Sequence, residues 1–334
     1  MITAERNDLN CLVTGGAGFI GSHIVARLVA LGARVRVVDN FSTGKESNLA
    51  AVRDEIDLLR GDLCDPDVCG KAVEGIDVVF HLAALASVPA SLLDPWACHA
   101  ANVNGTMRLL EACAHAKVRR VVYSSSSSVY GDTAIPAKTE AAEPEPRSPY
   151  AASKLAGEQY VLAFARAGVC EGVALRYFNV FGPRQTPGSA YAAVIPNFLQ
   201  AALQGTPAEV YGDGQQTRDF IYVENVVDAN ILAATAPAES ANGVVVNIGA
   251  GRRTSLLELI SVISGIIGRQ LGYTAHPARA GDVRDSLACM ERAQRVLGYQ
   301  ARVSLEEGLR CTWNWFVPHV AAASRRTLRV EQTA

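Results

Sequence analysis

The chain has 334 residues, which is enough for about two domains. Hydrophobic residues make up 49% of it and charged residues 19%, a composition that predicts a folded protein with a large core and excludes an intrinsically disordered chain. The 31 basic and 33 acidic side chains give a net charge of −2, so the chain lacks the basic excess that is typical of nucleic-acid-binding proteins.

The sequence contains no signal for export or membrane insertion. No apolar run approaches the roughly 20 residues that a membrane helix needs, and the first ten residues carry Glu5, Arg6 and Asp8 instead of an apolar signal-peptide core. The eight cysteines are scattered without a CxxC pair. This pattern argues against a zinc site and favours free, buried thiols. We therefore expect a cytosolic protein with no bound metal.

The first half of the chain alternates between strand and helix patterns. The predicted strands are residues 9–14, 34–39, 56–60, 77–82, 119–124 and 172–177, and the predicted helices are residues 18–31, 94–116 and 150–167. This order predicts an α/β fold with a doubly wound parallel sheet of the Rossmann type. Because ligands bind beyond the carboxyl ends of the strands in such sheets, we expect the functional residues in the loops that follow them.

A glycine-rich turn follows the first predicted strand and opens the first predicted helix. Gly15, Gly18 and Gly21 permit a tight turn, a close backbone approach and close helix packing, and free amides at the helix start can hold a pyrophosphate. Asp39 ends the next strand, where a carboxylate binds ribose hydroxyls and repels the extra phosphate of NADP. Asp62 ends the strand after that and is placed to meet the adenine amino group. These residues predict an NAD site, although such a turn also serves as a plain connector and Asp39 alone as a solvated carboxylate.

The second half is less regular and predicts a smaller α/β substrate domain. Helices are predicted at 196–203, 254–267 and 304–316, with a short strand at 208–211. We expect the NAD-binding domain to comprise residues 1–176, together with a later part of the chain near residues 218–250. The substrate-binding domain then takes residues 177–217 and 251–320, and residues 321–334 form a flexible tail.

Tyr150 and Lys154 are four residues apart, so on a helix they share one face. A nearby ammonium favours the phenolate and so lowers the pKa of a tyrosine, which turns the phenol into a general base. An ordinary pair on a helix surface has the same spacing. Here the pair follows both the dinucleotide turn and a run of serines, Ser124 to Ser128, at the end of a predicted strand, which favours the catalytic interpretation.

Taken together, these motifs resemble the extended short-chain dehydrogenase/reductase superfamily, in its nucleotide-sugar epimerase/dehydratase branch. The likeness covers residues 10–316. Its motifs are TGGAGFIGSH from Thr14, HLAA from His81, NVNGT from Asn102, SSSSVYGD from Ser125, YAASK from Tyr150, LRYFNVFGPRQ from Leu175, RDFIYVENV from Arg218 and GDVR from Gly281. Within the branch, ALASVPAS from Ala84 is similar to UDP-N-acetylglucosamine 4-epimerases. The resemblance implies bound NAD, a UDP-sugar substrate and a homodimer built from helices near 94–116 and 150–167.

The resemblance also implies residue roles. Tyr150 would be the catalytic base, Lys154 would assist it, and the hydroxyl of Ser126 would orient the 4-OH of the sugar. The implied cofactor-binding residues are Gly15, Gly18, Phe19, Ile20, Gly21, Asp39, Asn40, Asp62, Leu63, Leu82, Ala83, Ala84, Ser124, Tyr150, Lys154 and Tyr177. The implied substrate-binding residues are Ser87, Ser126, Ser127, Asn179, Arg218, Arg279, Asp282 and Ser286; the two arginines suit a diphosphate because guanidinium groups bind phosphate in a bidentate way.

Two departures from the family pattern bear on the reaction. Ser127 and Ser128 stand where the dehydratases carry Asp-Glu and where the decarboxylases carry a glutamate, so both reactions lose their expected proton carrier. Ala90 stands where close UDP-N-acetylhexosamine epimerases often have arginine, which leaves the choice of sugar open. The leading prediction is a 4-epimerase acting on UDP-GlcNAc and UDP-GalNAc, and also on UDP-Glc and UDP-Gal. A dehydratase, a decarboxylase, a reductase or a non-catalytic dinucleotide sensor remain alternatives.

Overall fold

The computed structural model describes residues 9–133, 135, 137–185, 193–278 and 283–331. Its strands are β1 (Asn10–Thr14), β2 (Arg34–Asp39), β3 (Ile56–Arg60), β4 (Val78–His81), β5 (Arg120–Ser126), β6 (Glu171–Tyr177), β7 (Asn179–Phe181), β8 (Ala208–Tyr211), β9 (Thr217–Arg218), β10 (Phe220–Tyr222), β11 (Val244–Ile248), β12 (Thr254–Ser255) and β13 (Tyr273–His276). Seven of them form one parallel sheet in the spatial order β11-β6-β5-β4-β1-β2-β3. The predicted doubly wound parallel sheet is confirmed.

The helices cover both faces of this sheet. They are α1 (Phe19–Ala30), α2 (Pro66–Val73), α3 (Val88–Leu93), α4 (Pro95–His99), α5 (Gly105–Ala116), α6 (Pro149–Arg166), α7 (Val194–Gln204), α8 (Val223–Thr235), α9 (Ala238–Ala241), α10 (Leu256–Ile267), α11 (Glu291–Leu297) and α12 (Leu305–Glu331). Three irregular turns complete the described elements: a 3₁₀ helix over Glu46–Glu55, a π helix over Ala100–Asn104 and a 3₁₀ helix over Ser127–Tyr130.

Two apolar cores explain why the sheet lies in the middle. Ile24 of α1 and Val226 of α8 pack on one face, whereas Leu109 of α5 and Val161 of α6 pack on the other. All four residues of β4 are buried, as expected for a parallel strand covered on both sides. Because the seven strands are parallel, their carboxyl ends meet at one edge, and that edge carries the loops in which the site residues were predicted.

A third core builds a smaller region beside the large sheet. Phe198 of α7, Leu259 of α10 and Phe316 of α12 pack together with Val210 of β8. Small strand pairs complete this region: β7 with β10, β8 with β13 and β9 with β12. The boundaries predicted for the two domains stay a prediction.

Three helix predictions were wrong in extent. The helix predicted at 94–116 is divided by the π helix over Ala100–Asn104, whose wider turn carries Asn102. The helix predicted from 254 begins at Leu256, because Thr254–Ser255 pairs with β9 and the Ser255 side chain caps the helix. The last helix continues to Glu331 rather than ending at 316. The mobility predicted for residues 321–334 stays a prediction.

Within the described part of the chain, no helix is both long and apolar enough to span a membrane. The same residues contain no group of three or more His, Cys, Asp or Glu side chains that could hold a metal ion. All eight cysteines are free thiols, and five of them are buried.

Candidate active site

The glycine-rich turn lies at the carboxyl end of β1 and has the geometry that its sequence predicts. Gly15 has a φ of +66°, and its amide donates to the Val38 carbonyl at 2.8 Å. A Cβ on Gly15 would lie 2.8 Å from the backbone of Ala83, and one on Gly21 would overlap the Gly15 carbonyl oxygen. Helix α1 begins after Gly18 with no side-chain cap and no acidic residue in its first turn. Its amides therefore suit a pyrophosphate group.

Asp39 is bound to this turn and is only 7% exposed. Its Oδ2 accepts from the Ala17 amide at 2.9 Å and its Oδ1 from the Phe41 amide at 2.8 Å. Each carboxylate oxygen keeps a second lone pair for a ribose hydroxyl. A Cβ on Gly44 would lie 2.8 Å from Oδ1, so glycine leaves space beside this carboxylate.

The next predicted cofactor residues lie along the same edge. Asn40 Nδ2 donates to Asp62 Oδ2 at 2.8 Å, and the bonds from the Cys64 amide and from Asn40 lower the pKa of Asp62. Leu63 is buried behind Asp62. The amide of Leu82 donates to the Thr14 carbonyl oxygen and that of Ala83 to the Thr14 hydroxyl, each at 3.2 Å, which holds the loop after β4 against the glycine turn. The residues present therefore fit a dinucleotide.

Ser126 and Tyr150 meet at the carboxyl end of β5. The Ser126 side chain lies close enough to the Tyr150 phenol to lower its pKa. Ser126 Oγ accepts from both the amide and the hydroxyl of Ser128, at 3.2 and 2.9 Å. Because Ser126 Oγ accepts both of these bonds, its own proton is available to a further acceptor.

The electrostatics of Tyr150 differ from the sequence prediction. Burial raises the pKa of its phenol, and the nearby Ser126 side chain offsets only part of this effect. Lys154 is 4% exposed, and burial lowers its pKa to about 7, with Cys98 and Glu158 acting in the opposite direction. The predicted lowering of the tyrosine pKa is therefore wrong for the side chains of this chain alone, because desolvation dominates at both groups.

The Tyr177 hydroxyl is hydrogen-bonded both to strand β5 and to helix α8. It bonds Ser124 Oγ at 2.9 Å and Asn230 of α8 at 2.9 Å. Burial raises the pKa of this phenol to about 12. Tyr177 is therefore held as a neutral phenol at this edge, and its predicted cofactor-binding role stays a prediction.

A cavity of about 620 Å³ lies between α7 and β8. Asn179 and Arg218 line it, together with Phe198, Tyr211 and Gln216. Arg218 Nη1 donates to the carbonyls of Thr217 and Arg284 at 2.9 and 3.2 Å. Beside it, the Ser286 amide donates to the Thr217 carbonyl at 3.2 Å.

The other predicted substrate residues are placed differently. Ser87 caps α3, because its Oγ accepts from the Ala90 amide at 3.2 Å. Ser127 opens the 3₁₀ helix after β5 and is partly buried. Arg279 and Asp282 lie outside the described residues.

Sequence reasoning assigned no role to two buried polar residues of this edge. His81 bonds the hydroxyls of Thr14 and Thr106 at 2.7 and 2.8 Å, and burial, then Lys154, lower its pKa to about 3. Asp219 accepts three backbone amides, at 2.7, 3.0 and 3.1 Å, and burial raises its pKa to about 6. In the sequence, each of the two lies next to a run of apolar residues. That pattern could have indicated that the polar side chain is buried.

Comparison with known proteins relates this chain to nucleotide-sugar enzymes. A model of the "NAD dependent epimerase/dehydratase family" matches residues 11–249. The chain is 40% identical to a UDP-glucose 4-epimerase of Mycolicibacterium smegmatis over 92% of this chain and 98% of that protein. It is 35% identical to a UDP-N-acetyl-alpha-D-glucosaminuronate decarboxylase of Bacillus cytotoxicus, over 92% and 97%.

Solved structures give the same picture. The UDP-N-acetylglucosamine 4-epimerase of Methanobrevibacter ruminantium, solved in complex with UDP-N-acetylmuramic acid, is 40% identical and superposes with a TM-score of 0.88. The match covers 93% of this chain and 99% of that one.

Proposed function

Because the chain belongs to the NAD dependent epimerase/dehydratase family, with NAD as its cofactor, we propose that it is a UDP-sugar 4-epimerase. Its substrates are UDP-GlcNAc and UDP-GalNAc, with UDP-Glc and UDP-Gal accepted as well. The observation that carries the proposal is that Ser126 lies next to the Tyr150 phenol at the carboxyl end of β5, with the buried Lys154 on the same helix as Tyr150.

The protein residues divide the work between proton transfer and position. The Tyr150 phenolate takes the proton of the sugar 4-OH, and Ser126 orients that hydroxyl; the same phenol returns the proton when the 4-keto intermediate is reduced. Lys154 supplies positive charge that favours the phenolate. Bound NAD would supply the redox chemistry, which is the removal of hydride from C4 and its return to the other face.

The residues near the glycine turn would hold the cofactor. Helix α1 offers its amides to the pyrophosphate, and Asp39 offers its oxygens to the adenosine ribose. Lys154 and Tyr177 would flank the nicotinamide end. Asn179 and Arg218 face the cavity, where a guanidinium suits the UDP diphosphate.

The serine run favours epimerisation over elimination or decarboxylation. Ser127 and Ser128 are hydroxyl residues in the positions where related enzymes carry acids, and Ser128 is engaged with Ser126. Neither is an acid at neutral pH, so no carboxyl group follows Ser126 to move the extra proton. Because one relative is a decarboxylase, decarboxylation is the competing reaction that the assay must distinguish from epimerisation.

The test uses purified protein with UDP-Glc, UDP-GlcNAc and UDP-glucuronate in separate reactions. We expect C4 epimers from the first two, resolved by their axial and equatorial hydroxyls, without net accumulation of NADH. Release of carbon dioxide from the glucuronate, loss of water from the sugar, or steady NADH formation would each replace the proposal with the corresponding rival reaction. Binding of NAD without turnover of any sugar would favour the sensor alternative.

We also propose that the protein is a cytosolic homodimer, as the family resemblance implies. Leu92, Leu93 and Trp96, at and after the end of α3, are 63%, 78% and 80% exposed, and clustered apolar side chains of this kind mark interaction surfaces. Light scattering should give twice the chain mass, and Leu93→Glu with Trp96→Glu should give a monomer. A wild-type monomer at assay concentration contradicts the dimer without touching the enzymatic proposal.

A further inference from the structure

The helix that carries Tyr150 and Lys154 also carries a buried carboxylate one turn further on. Glu158 is 0% exposed. Its Oε2 accepts from the Ser125 hydroxyl at 2.7 Å and from Arg176 Nε at 2.9 Å, and its Oε1 accepts from Arg176 Nη2 at 2.6 Å. Ser125 and Arg176 are each 3% exposed, so the whole cluster lies inside the protein.

The partners of Glu158 occupy one step of the sheet register. Ser125 of β5 pairs with Arg176 of β6, and the next pair along, the last of this ladder, is Ser126 with Tyr177. Glu158 therefore holds the two strands to α6 one residue before Ser126 and Tyr177. Tyr150 is on the same helix as Glu158. Loss of the bonds from Glu158 to the strands would therefore let Ser126 move relative to Tyr150.

Arg176 has a second set of contacts that fixes it further. Its guanidinium lies 4.7 Å from the ring centroid of Tyr130, whose hydroxyl donates to Asn247 Oδ1 at 2.6 Å. Burial alone lowers the pKa of Arg176, but its bonds to Glu158 reverse this and raise it. Arg176 binds both carboxylate oxygens of Glu158, and removing one partner would leave the other buried without compensation.

Glu158 comes four residues after Lys154 on α6, so the two side chains share one face of the helix, and the Glu158 carboxylate raises the pKa of Lys154. The groups that act on or surround the Lys154 ammonium come from four elements: Glu158 on α6, Cys98 on α4, Tyr123 on β5 and His81 on β4. Tyr123 faces the ammonium with its ring, 4.6 Å away, and His81 is neutral because its pKa is about 3. Arg176, which forms the ion pair with Glu158, supplies the positive charge of this cluster.

We propose that Glu158 is a positioning residue of the reaction, which holds Ser126 and Tyr177 in register through Ser125 and Arg176. The same carboxylate places a negative charge near Lys154, one turn earlier on α6. This inference rests on the proposed function for its kinetic consequence. Its electrostatic consequence concerns the free protein and can be measured without turnover.

The direct measurement is the titration of Lys154. The chain has only five lysines, at positions 45, 71, 117, 138 and 154, so nuclear magnetic resonance of isotope-labelled lysine can resolve Lys154, with Lys154→Met as the assignment control. Glu158→Gln removes a negative charge and leaves the positive charge of Arg176 in place. That remaining charge disfavours the ammonium form of Lys154. We expect Lys154 to lose its proton about one pH unit lower in this variant than in the wild type.

We expect the pH profile of kcat to shift in the same direction as the Lys154 titration. If Lys154 must be charged, the alkaline limb of the kcat profile of Glu158→Gln should move to lower pH by the same amount. Glu158→Asp keeps the charge but is shorter, so Lys154 should titrate as in the wild type while kcat per folded molecule falls about tenfold to a hundredfold.

A matched control exists at the opposite end of the same strands. Arg120 of β5 pairs with Glu171 of β6, with Arg120 Nε donating to Glu171 Oε2 at 2.6 Å. Glu171→Gln should lower stability without moving the Lys154 titration or the pH profile. The proposal is overturned if Glu171→Gln moves the titration as far as Glu158→Gln does. It is equally overturned if Glu158→Gln leaves the titration in place, or if folded Glu158→Asp keeps wild-type kcat.

Two further outcomes separate this inference from the proposed function. If Glu158→Gln does not fold, Glu158→Asp decides the positioning role by kcat per folded molecule. If the wild type turns over no UDP-sugar, the proposed function fails, whereas the lysine titration still shows whether Glu158 controls the charge of Lys154.

Discussion

Tyr150 is the side chain on which the proposed chemistry most depends. Replacing it by phenylalanine removes the proton acceptor and keeps the ring, and loss of a positioned general base costs about a hundredfold to ten-thousandfold in rate. We expect kcat of Tyr150→Phe to fall within that range while NAD stays bound. Tyr160→Phe, on an exposed position of the same helix, serves as the control and should keep wild-type kcat. Near-normal turnover by Tyr150→Phe would mean that another group is the base.

We propose that Ser286, which the family resemblance places at the substrate, selects the sugar. A serine leaves room for an N-acetyl group at C2, whereas a tyrosine would fill that space. We expect Ser286→Tyr to lower kcat/KM for UDP-GlcNAc by at least about tenfold and to spare UDP-Glc. The exposed Ser240→Tyr is the control for the added ring. Equal loss on both sugars would indicate general damage instead.

Individual residues show what a sequence pattern reveals and what it does not. The spacing of Tyr150 and Lys154 was visible, and the structure does place both at the sheet edge. The contacts of Glu158 and His81 were not visible, because only the fold shows that a polar side chain is buried and with what it pairs. The direction of the Tyr150 pKa was wrong for the same reason: spacing gives neighbours, whereas burial gives the desolvation that outweighs them.

The turn between β1 and α1 gives a test at the level of an element. A Cβ on Gly21 would overlap the Gly15 carbonyl, so Gly21→Ala must push the helix away from the turn. We expect lower NAD affinity and a loss of about 1–3 kcal/mol of stability. Gly265→Ala, in helix α10 with no atom within 4 Å of the added Cβ, should instead be neutral or slightly stabilising. Calorimetric titration with NAD and thermal unfolding measure both effects, and unchanged NAD affinity of Gly21→Ala would contradict the close packing.

The accuracy of the element predictions followed the strength of the local pattern. Strands β2 and β3 were predicted with their observed bounds because valine- and leucine-rich runs end at charged residues. Strand β5 extends two residues beyond its predicted end, since Ser125 and Ser126 pair with β6 and only tertiary pairing makes serines a strand. The break in the predicted helix at 94–116 depends on Asn102, which bonds Leu85 and Ser153 from the π helix.

The stability of the whole molecule should depend on pH through His81. This side chain is 1% exposed, and its pKa of about 3 lies far below the usual value of 6.5. As pH falls below 6.5 the unfolded chain takes up a proton that the folded chain refuses, so this contribution to stability is complete above that pH and is lost toward pH 3. The slope is about 1.4 kcal/mol per pH unit, or roughly 2 kcal/mol at pH 5.

Denaturant unfolding at pH 7 and pH 5 measures this contribution. We expect the wild type to lose about 2 kcal/mol more than His81→Gln over this interval. His115→Gln, at an exposed position on α5, should behave like the wild type. Parallel losses in wild type and His81→Gln would show that other groups govern the acid sensitivity.

The seventh strand of the sheet has a consequence for how the protein is made. Strand β11 pairs with β6, yet the chain passes through α7, β8 and α8 before it reaches Val244. During synthesis on the ribosome, β6 therefore remains an open edge, with its apolar Val173 and Leu175, until that late segment emerges. Open apolar edges recruit other strands. The nascent chain thus has a period in which chaperone capture competes with aggregation, and a truncated chain that ends after β6 should accumulate in inclusion bodies.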